Sequence, residues 1–525
     1  MSNIHLEKIL SPENNTNHHF ISLSVSKDKT LKIYPASVNR LENHIFFIAV
    51  AENPENSEIV KNLYIVSPEN ETPAAAFQFE YVGCDLNSGI KIAECPMNHK
   101  NALAISELFD FTRPVLIGTE NSFGFGDRLG IANPGHLRAL SGKTILPILA
   151  QQSIRELERT ARKPEDVMDA AVWAVFQEGY RDGFGADADH LKTTTDIDFM
   201  IRAGFTMFTF DPGDYVVNDV ETFSMGELVS KAESISWNDL DDTFENFMNR
   251  YEDVRFTVTA DFSLAPEREE ILRGIVKYGD VIIHTIRMHN HLKDNYPGLP
   301  QEIELSVDET DSPTSTFEHF LIASELKRLG IRLVSLAPRF IGEFEKGIDY
   351  KGDLDEFRSE YIRHLKISHL LGPYKISLHS GSDKFSVYEV IGKLSEGNFH
   401  VKTAGTSYLI ALQTIASADN ALFREILNYS RDHYDTEKVS YHVSADIKNV
   451  PSPENLSDGD LTGLFTQDDA REVMHVTFGK VLTEKTSGGD YLFRDSILKC
   501  LNENEEIHYE LLKRHFERHI KPFFE

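Results

Sequence analysis

Ionisable side chains recur at every second position near the ends of several strand-like segments of this chain. In "DHLKTT", His190, Lys192 and Thr194 occupy one register, and Asp187 and Asp189 come just before them. The same alternation occurs in "MFTFDPGD", "IELSVDE", "KISLHSG" and "NFHVKTAG", whose polar register contains Thr209, Asp211, Glu304, Ser306, Asp308, Ser377, His379, His400 and Lys402. Because successive side chains of a strand point to opposite faces, each of these strands has one polar face.

Imidazole and carboxylate groups on shared faces are the groups that bind a divalent metal ion. Neutral imidazole combined with carboxylate suits Zn, Mn, Ni or Co, and zinc is the expected ion. We predict His190, Asp308 and His379 as metal ligands, with His400 as a fourth. Glu309 is an alternative to Asp308, because a β-bulge would exchange the two positions. The three cysteines of the chain are too few and too scattered for a cysteine-based zinc site.

The elements that would position these groups are strands alternating with long helical patterns. The predicted strands are residues 114–118, 145–150, 189–194, 205–210, 302–307, 331–337, 374–380 and 399–404. Eight such strands with helical crossovers are typical of a (β/α)8 barrel, in which functional groups collect at the carboxyl ends of the strands. The polar faces are therefore predicted to line one mouth of the barrel.

The predicted fold is an α/β protein built on this TIM-like (β/α)8 barrel, with three additions. Residues 1–110 contain short apolar runs separated by Asn, Pro and Gly, which predicts an N-terminal β-rich subdomain. The barrel domain is predicted over 111–415, with a helical insertion at about 218–298. Residues 416–525 are predicted to form a mainly helical C-terminal extension.

The predicted first strand is followed by a glycine-rich segment, "GTENSFGFGDRLG", which has two interpretations. Gly124, Gly126 and Gly130 form a G-x-G-x-x-x-G pattern, one residue longer than the dinucleotide fingerprint, so an NAD-dependent enzyme is an alternative. No acidic residue ends a second strand about twenty residues later, so no NAD is expected. The other interpretation is an active-site loop in which Glu120 contacts the substrate and Arg128 binds a substrate carboxylate.

The bulk composition limits the classes of partner. The chain of 525 residues has 53 Lys and Arg against 83 Asp and Glu, a formal net charge of −30. A surface with this much negative charge repels nucleic acid and anionic membranes. The expected partner is therefore a small molecule. We read no secretory signal and no apolar run near the roughly 20 residues of a membrane helix, which predicts a cytoplasmic protein. Homo-oligomerisation is compatible with the sequence.

Five long segments together resemble the tagaturonate epimerase family. They are "GTENSFGFGDRLGIANPGH", "VFQEGYRDGFGADADHLKTTTDID", "AGFTMFTFDPGDYV", "ELSVDETDSPT" and "LAPRFIGEFEKGIDY", and the resemblance is strongest from about 114 to 410. It implies an isomerase of hexuronate catabolism that interconverts D-tagaturonate and D-fructuronate and depends on a divalent metal.

Two shorter segments are similar to class II metal-dependent aldolases. "DADHLK" resembles their Asp-His strand end, which implies His190 as a zinc ligand and Asp189 as a general base. "SLHSGSD" resembles their His-Gly-Gly-Ser segment, which implies His379 as a ligand and Ser382 as a contact of the substrate's anionic end. Ser380 replaces the first glycine of that segment and weakens the expectation of anion binding by the backbone.

The implied substrate determines the chemistry that the site must perform. Counted from the carboxylate, the ketone is at C5 and the inverted centre is C3, so one enolisation cannot invert it. We expect a retro-aldol cleavage between C3 and C4 followed by re-addition, assisted by a metal and by acid/base groups. The predicted catalytic groups are Asp127, Asp189, Asp211 and Lys192, and the predicted substrate contacts are Glu120, Arg128, Arg339, Ser382 and Lys402.

Alternatives from other classes stay open at this stage. A metal-dependent sugar aldolase or isomerase would use the same barrel mouth, and activity at C4 of neutral ketohexoses is also compatible with it. An NAD-dependent epimerase would use the glycine-rich loop at 124–130. A non-catalytic sugar-binding protein would lack charged residues at strand ends, whereas this chain has many.

Overall fold

The computed structural model describes residues 20–25, 29–52, 59–71, 73, 76–85, 89–394 and 398–524. The N-terminal region is β-rich, as predicted, and its strands form an antiparallel sheet. Its strands are β1 (Ile21–Ser24), β2 (Thr30–Ile33), β3 (Asn39–Leu41), β4 (His44–Glu52), β5 (Ile59–Pro68), β6 (Glu80–Asp85) and β7 (Ile90–Pro96). They run in the order β1-β2-β4-β5-β7-β6, with β3 paired to β4. Residues 1–19, where the sequence predicts no secretory signal, lie outside the described residues.

Both faces of this sheet are apolar. Along β4, Phe46 and Ile48 belong to the large core shared with the barrel, whereas Phe47 and Ala49 belong to a smaller core on the opposite face. This is the two-residue alternation of a strand, with apolar residues in both registers. One face therefore fastens the sheet to the barrel.

Eight parallel strands close into a barrel in which each strand neighbours the strands that precede and follow it in sequence. They are β8 (Ser122–Phe125), β9 (Leu146–Ser153), β10 (Gly185–Leu191), β11 (Met207–Phe210), β14 (Glu302–Val307), β15 (Ser335–Pro338), β16 (Lys375–Leu378) and β17 (Phe399–Thr403). A separate hairpin consists of β12 (Phe256–Thr259) and β13 (Phe262–Leu264). The (β/α)8 prediction is confirmed.

The predicted alternation along the barrel strands is confirmed in β14. Ile303, Leu305 and Val307 belong to the apolar core, while Glu304 faces the barrel interior, where it accepts a hydrogen bond from Thr209 at 3.3 Å. Every residue of β14 is buried. The interior of the barrel is therefore polar near its mouth, and its polar groups bind one another.

The first barrel strand does not lie where the sequence predicted it. Residues 114–118 form no strand, and the strand is Ser122–Phe125, inside the glycine-rich segment. A Cβ on Gly124 would lie 1.6 Å from the Gln151 side chain, and one on Gly126 would lie 2.7 Å from the backbone of Ala404. Gly124 and Gly126 thus permit close packing inside the barrel, which accounts for these two glycines without a bound dinucleotide.

The third strand ends earlier than predicted. Strand β10 ends at Leu191, His190 has a left-handed φ of +50°, and Thr193 caps the following helix by accepting a hydrogen bond from the Asp196 backbone amide. The alternation of His190, Lys192 and Thr194 therefore does not continue on one strand face. Only His190 of the three points into the mouth.

The α-helices surround the barrel and form the additions. They are α1 (His99–Leu108), α2 (Asn133–Ala139), α3 (Ile154–Thr160), α4 (Pro164–Glu178), α5 (Thr194–Arg202), α6 (Met225–Glu233), α7 (Phe244–Tyr251), α8 (Arg268–Asn295), α9 (Thr316–Arg328), α10 (Leu354–Leu371), α11 (Phe385–Gly392), α12 (Thr406–Ala418), α13 (Asn420–Glu437), α14 (Asp468–Val476), α15 (Phe478–Thr483), α16 (Arg494–Glu503) and α17 (Glu505–Ile520). The insertion after the fourth barrel strand contains α6, α7 and α8, as predicted, together with the β12–β13 hairpin. Within the described part of the chain, no helix is both long and apolar enough to cross a lipid bilayer.

The C-terminal helices form a second apolar core and also reach the barrel. Helix α12 spans residue 415, the predicted boundary, and its apolar side belongs to this second core. Helix α17 packs on α2, where the ring centres of Phe516 and His136 lie 4.6 Å apart, and on β8, where those of Phe516 and Phe125 lie 5.0 Å apart. Asp383, just beyond barrel strand β16, pairs with Arg471 at 2.8 Å and with His515 at 3.0 Å. The extension therefore supports the loops at the barrel mouth.

Candidate active site

A cavity of about 310 Å³ opens at the carboxyl ends of the barrel strands and continues inward as a smaller lobe. The outer lobe is lined by Asp308, Glu309, Thr310, Arg339, Glu343 and His442, among others. The inner lobe is lined by Arg128, Gln151, Ser153, Asp189, His190, Ser382, Lys402 and His475, among others. Arg155, Lys346, His379, Ser380 and Tyr441 line both lobes. Ligand sites of TIM barrels lie at this end of the strands, so this cavity is the candidate active site.

The structure brings three of the four predicted metal ligands together. His190, Asp308 and His379 each offer a ligand atom, and these atoms all lie within 4.8 Å of one another. Glu309, the predicted alternative, belongs to an overlapping group with His190 and Asp211. Two imidazoles and a carboxylate from separate strand ends are a donor set that fits a divalent transition-metal ion.

Carboxylates hold both histidines of this group in place. The Nε2 atom of His379 lies 2.7 Å from Glu304, which leaves Nδ1 facing Asp308 at 3.2 Å. The Nδ1 atom of His190 lies 3.3 Å from Asp211. A carboxylate on the second nitrogen of a metal-binding histidine fixes the tautomer and the ring orientation, and His379 has this arrangement.

The charges around these histidines also favour a bound cation. Burial lowers the pKa of His190, but the carboxylates of Asp189 and Asp211 outweigh burial and raise it to about 10. Burial likewise lowers the pKa of His379, and Asp308 and Glu304 raise it to about 9. So many carboxylates around two imidazoles require positive charge, which either protons or a metal ion can supply.

Lys402 lies at the base of the inner lobe, surrounded by carboxylates. Its Nζ atom lies 2.7 Å from Asp187, 2.8 Å from Asp189 and 2.8 Å from Glu304. Burial raises the pKa of Asp187 to about 6, whereas the charges of His190 and Lys402 outweigh burial and keep the pKa of Asp189 well below its usual range. Asp189 is thus ionised beside His190, Asp308 and His379, the group of predicted metal ligands that we call the metal-type cluster.

Positively charged side chains also line this cavity. Arg128 pairs with Glu156 at 2.9 Å, and its guanidinium carbon lies 3.5 Å from the centre of the Phe478 ring. Arg155 and Lys346 line both lobes, and the Lys346 Nζ atom donates to the Ser380 hydroxyl at 2.7 Å. The segment 440–442 of the C-terminal extension also lines the outer lobe, so the extension contributes to the walls of the cavity.

Two predicted site residues near the first strand have other positions. Glu120 precedes β8, so it lies at the amino ends of the barrel strands, opposite the mouth, and its predicted substrate contact is wrong. Asp127 accepts hydrogen bonds from the backbone amides of Leu129 (3.2 Å), Gly130 (2.7 Å) and Ala132 (2.7 Å). Both of its carboxylate oxygens organise the loop, and Asp127 lines neither lobe of the cavity, so the structure does not support its predicted role as an acid/base group.

Lys192 and His400 are likewise not part of the site. Lys192 is exposed beyond the end of β10 and pairs with Asp214 at 2.9 Å. His400 lies beside Ser122 and Ser377 in the barrel register, one layer deeper than His379, and binds the Ser122 hydroxyl at 3.0 Å. Burial lowers its pKa to about 3. His400 is absent from the group of residues whose ligand atoms lie within 4.8 Å of one another, and Lys192 lines neither lobe of the cavity, so the structure supports neither a catalytic Lys192 nor His400 as a fourth ligand.

The remaining predicted catalytic and substrate-binding residues lie in or near the cavity, but they differ in whether a substrate could touch them. Asp189, Arg128, Ser382 and Lys402 line the inner lobe, and Arg339 lines the outer lobe, where it donates to the Thr310 carbonyl oxygen. Asp211 is buried behind His190 and accepts a hydrogen bond from the Gly213 amide at 3.0 Å. Its position fits the orientation of His190 better than direct contact with substrate.

Several site residues were not predicted as such. Arg155, Lys346, Tyr441 and His475 line the cavity from loops, helices and the C-terminal extension, outside the strand alternation on which the prediction rested. Glu304 was recognised only as part of a polar strand face. Lys346 had one available signal, because it lies in "LAPRFIGEFEKGIDY", directly after a barrel strand.

Comparisons with known proteins agree with this architecture. The family model described as tagaturonate epimerase (UxaE) matches residues 34–523. The tagaturonate/fructuronate epimerase of Thermotoga maritima is 44% identical over 437 residues, which cover 82% of this chain and 86% of that protein. The glycerol-complexed crystal structure of fructuronate-tagaturonate epimerase UxaE from Cohnella laeviribosi has a TM-score of 0.85 and 35% identity, covering 94% of this chain and 96% of that one. The native crystal structure of the same protein matches with the same values.

Fold and site together define a TIM-barrel enzyme whose active site lies at the barrel mouth and contains a metal-type cluster. Because the family model covers most of the chain, and a relative with 44% identity covers more than two thirds of it, the family is established. The chain belongs to the tagaturonate epimerase family, which confirms the resemblance found in the sequence.

Proposed function

We propose that this chain is a metal-dependent epimerase that interconverts D-tagaturonate and D-fructuronate. The observation that carries the proposal is the group of His190, Asp308 and His379 beside ionised Asp189, in the mouth cavity of a tagaturonate epimerase family member. Zinc is the expected ion, with Mn, Ni or Co as alternatives. Location in the cytoplasm and homo-oligomerisation stay predictions from the sequence.

The reaction that we propose inverts C3 by retro-aldol cleavage and re-addition. The C3 hydroxyl loses its proton, the C3–C4 bond breaks, and the C4–C6 fragment becomes an enediolate while C3 becomes an aldehyde. The aldehyde turns its other face to the same enediolate, the C3–C4 bond forms again, and the C3 alkoxide takes up a proton. No atom is gained or lost, so the product is the C3 epimer.

His190, Asp308 and His379 would hold the metal ion, which when bound supplies Lewis-acid stabilisation of negative charge on the ketone and hydroxyl oxygens. Asp189 lines the inner lobe in its ionised form and is our candidate for the base that accepts the C3 hydroxyl proton. Lys402, 2.8 Å from Asp189, holds that carboxylate in place. The walls of the inner lobe retain the aldehyde fragment, so that re-addition competes with release.

Metal content and epimerase activity, measured on the same samples, test this proposal. The protein is stripped with a chelator, supplied singly with Zn, Mn, Ni or Co, and incubated with D-tagaturonate while D-fructuronate is assayed. We expect activity to be lost on stripping and restored by at least one of these ions. Full activity after complete removal of metal would contradict the metal requirement, and release of the two three-carbon fragments would indicate an aldolase.

Single substitutions then test the ligand set. His190→Ala and His379→Ala are each expected to reduce bound metal below one ion per chain and to remove most of the activity. His369→Ala is the matched control, because His369 is an exposed residue of α10. Metal content that stays at the wild-type level in both ligand variants would reject this site.

A further inference from the structure

The cavity is lined by both carboxylates and cationic side chains. Asp189, Asp308 and the carboxylates around Lys402 surround the metal-type cluster. The cationic side chains are those of Arg128, Arg155 and Lys346, which we call the cationic wall. Among the described residues, the carboxylate that pairs most closely with this wall is that of Glu156, which binds Arg128 at 2.9 Å. A ligand anion is therefore repelled by the carboxylates and attracted by the cationic wall.

Lys346 is the member of this wall that most clearly lacks a counter-charge. It is half-buried and lines both lobes, and its Nζ atom donates to the Ser380 hydroxyl. Within the described residues, no carboxylate oxygen lies within 4.0 Å of that Nζ atom. Placing an ammonium group in a half-buried position without an anion is unfavourable, and a bound anion would remove that penalty.

Arg128 shows the same deficit independently. Its side chain is 3% exposed, and Nε and Nη2 both bind Glu156, but among the described residues the buried Nη1 atom has no hydrogen-bond partner. The Phe478 ring, 3.5 Å from the guanidinium carbon, fixes its orientation. Arg128 lines the inner lobe, so an anion bound there would lie beside a guanidinium group that is only partly paired.

Arg155 completes the wall. Its nearest carboxylate, that of Glu309, lies 3.8 Å away, a loose pair in which both side chains are about two-fifths exposed. Exposed pairs of this length contribute little, so Arg155 can exchange this partner for a ligand. The hydroxyls of Ser153, Ser380 and Ser382 line the inner lobe and add hydrogen-bond donors.

We propose that Lys346, Arg155 and Arg128 form the subsite that binds the carboxylate of a sugar acid, and that Lys346 determines the preference for acidic over neutral sugars. The proposal rests on the proposed function only for the nature of the ligand, a hexuronate with one carboxylate. It fixes the direction in which the substrate lies, with its C1 carboxylate at the cationic wall and its ketone end toward His190, Asp308 and His379. Two other predicted substrate contacts, Arg339 and Lys402, are not part of this subsite. Arg339 donates to the Thr310 carbonyl oxygen, and Lys402 is already paired with three carboxylates.

Equilibrium binding tests the subsite without any reaction. The probes are D-galactonate, which has a carboxylate but no ketone, and galactitol, its neutral counterpart. Calorimetry on the metal-loaded protein is expected to show that wild type prefers the acid. Lys346→Gln should weaken galactonate binding by about tenfold to a hundredfold, the effect of one charge-assisted hydrogen bond, and leave galactitol binding unchanged.

Matched variants separate charge from folding. Lys346→Arg keeps the charge and is expected to retain most of the preference for the acid, and Arg155→Gln should reduce it through an independent position. Lys499→Gln removes the same charge from an exposed site on α16 and should behave as wild type. If Lys346→Gln fails to fold, Arg155→Gln alone decides the question.

Steady-state kinetics distinguish an incorrect subsite proposal from an incorrect proposed function. On D-tagaturonate, kcat/KM of Lys346→Gln should fall mainly through an increased KM. Equal preference for acid over neutral probe in wild type, Lys346→Gln and Arg155→Gln would overturn the subsite, even if wild type is an active epimerase. Loss of the preference in these variants would support it, even if wild type does not epimerise tagaturonate.

Discussion

The Nε2 atom of His379 and a carboxylate oxygen of Glu304 lie 2.7 Å apart inside the barrel, although Glu304 belongs to β14 and His379 directly follows β16, which is not a neighbour of β14. Strand β15 separates β14 from β16, so the contact crosses the barrel interior. It leaves the Nδ1 atom of His379 directed at Asp308. The same carboxylate of Glu304 also contacts Lys402, so one buried group connects the metal-type cluster to the base of the cavity.

Glu304→Gln should therefore weaken metal binding without removing a ligand. The amide keeps the shape of the side chain but loses the charge that orients and polarises the imidazole. Outer-sphere partners of this kind typically change metal affinity by about 10- to 100-fold. Competition with a chelator of known affinity measures the change, and Glu389→Gln, on an exposed site of α11, is the control. Equal affinity in Glu304→Gln and wild type would show that this contact does not act on the metal.

His400→Asn distinguishes the ligand set found in the structure from the larger set predicted from the sequence. His400 lies one layer deeper than His379 and uses Nδ1 for Ser122. We expect the variant to bind as much metal as wild type, and to lose about 1–3 kcal/mol of unfolding free energy because a buried polar contact is broken. Metal analysis by mass spectrometry, compared with His379→Ala, decides the point. Loss of metal in both variants would restore His400 as a ligand.

Asp127→Ala should act on stability and loop position, because Asp127 accepts three backbone amides of the loop that carries Arg128. We expect a loss of about 1–3 kcal/mol of unfolding free energy, with the decrease in activity appearing largely in KM. Denaturation and steady-state kinetics on one preparation measure both, with Asp280→Ala on the exposed side of α8 as control. A decrease in kcat of about 10²-fold or more at unchanged stability would instead indicate an acid/base group.

The barrel was predictable because its strands carry a two-residue alternation that sterics enforce. The apolar face of each barrel strand packs against the surrounding helices, so the polar face points into the barrel. This rule placed His379 and Asp308 at the barrel mouth, where the structure has them. The same rule misplaced Lys192, because strand β10 ends at Leu191 and His190 has a left-handed φ. The alternation predicts the direction of a side chain only within the strand. The residue at which a strand ends depends on helix capping and tertiary contacts, which the alternation does not show.

Other parts of the site could not be predicted from local patterns. The depth of His400 inside the barrel depends on how β17 is aligned with its neighbours β16 and β8. The sequence of one strand does not show this alignment. Arg155, Lys346 and Tyr441 come from loops, a helix and the C-terminal extension, and only the closed fold brings them to one cavity. The glycines of β8 resembled a phosphate-binding loop because close packing and close ligand approach favour the same residue.

Glu472 gives the protein a specific dependence of stability on pH. This residue of α14 is 1% exposed and accepts the backbone amides of Ser444 and Ala445, at 3.2 and 2.7 Å, just beyond the segment that lines the cavity. Burial, together with the hydrogen bond and charge of Glu345, raises its pKa to about 8 from an ordinary value of 4.5. The folded chain thus binds a proton that the unfolded chain releases at a lower pH.

The sign of the effect follows from linkage. Stability contributed by the protonated carboxyl is complete below about pH 4.5 and is lost as the pH rises through about 8, by up to about 1.4 kcal/mol for each pH unit of that window. Glu472→Gln resembles the protonated form at every pH, so its unfolding free energy should decrease less than that of wild type between pH 5 and 9 and exceed it at the upper end. Thermal or denaturant unfolding across this range, with exposed Glu503→Gln as control, measures the difference. Parallel profiles for wild type and Glu472→Gln would mean that Glu472 is already ionised in the folded protein.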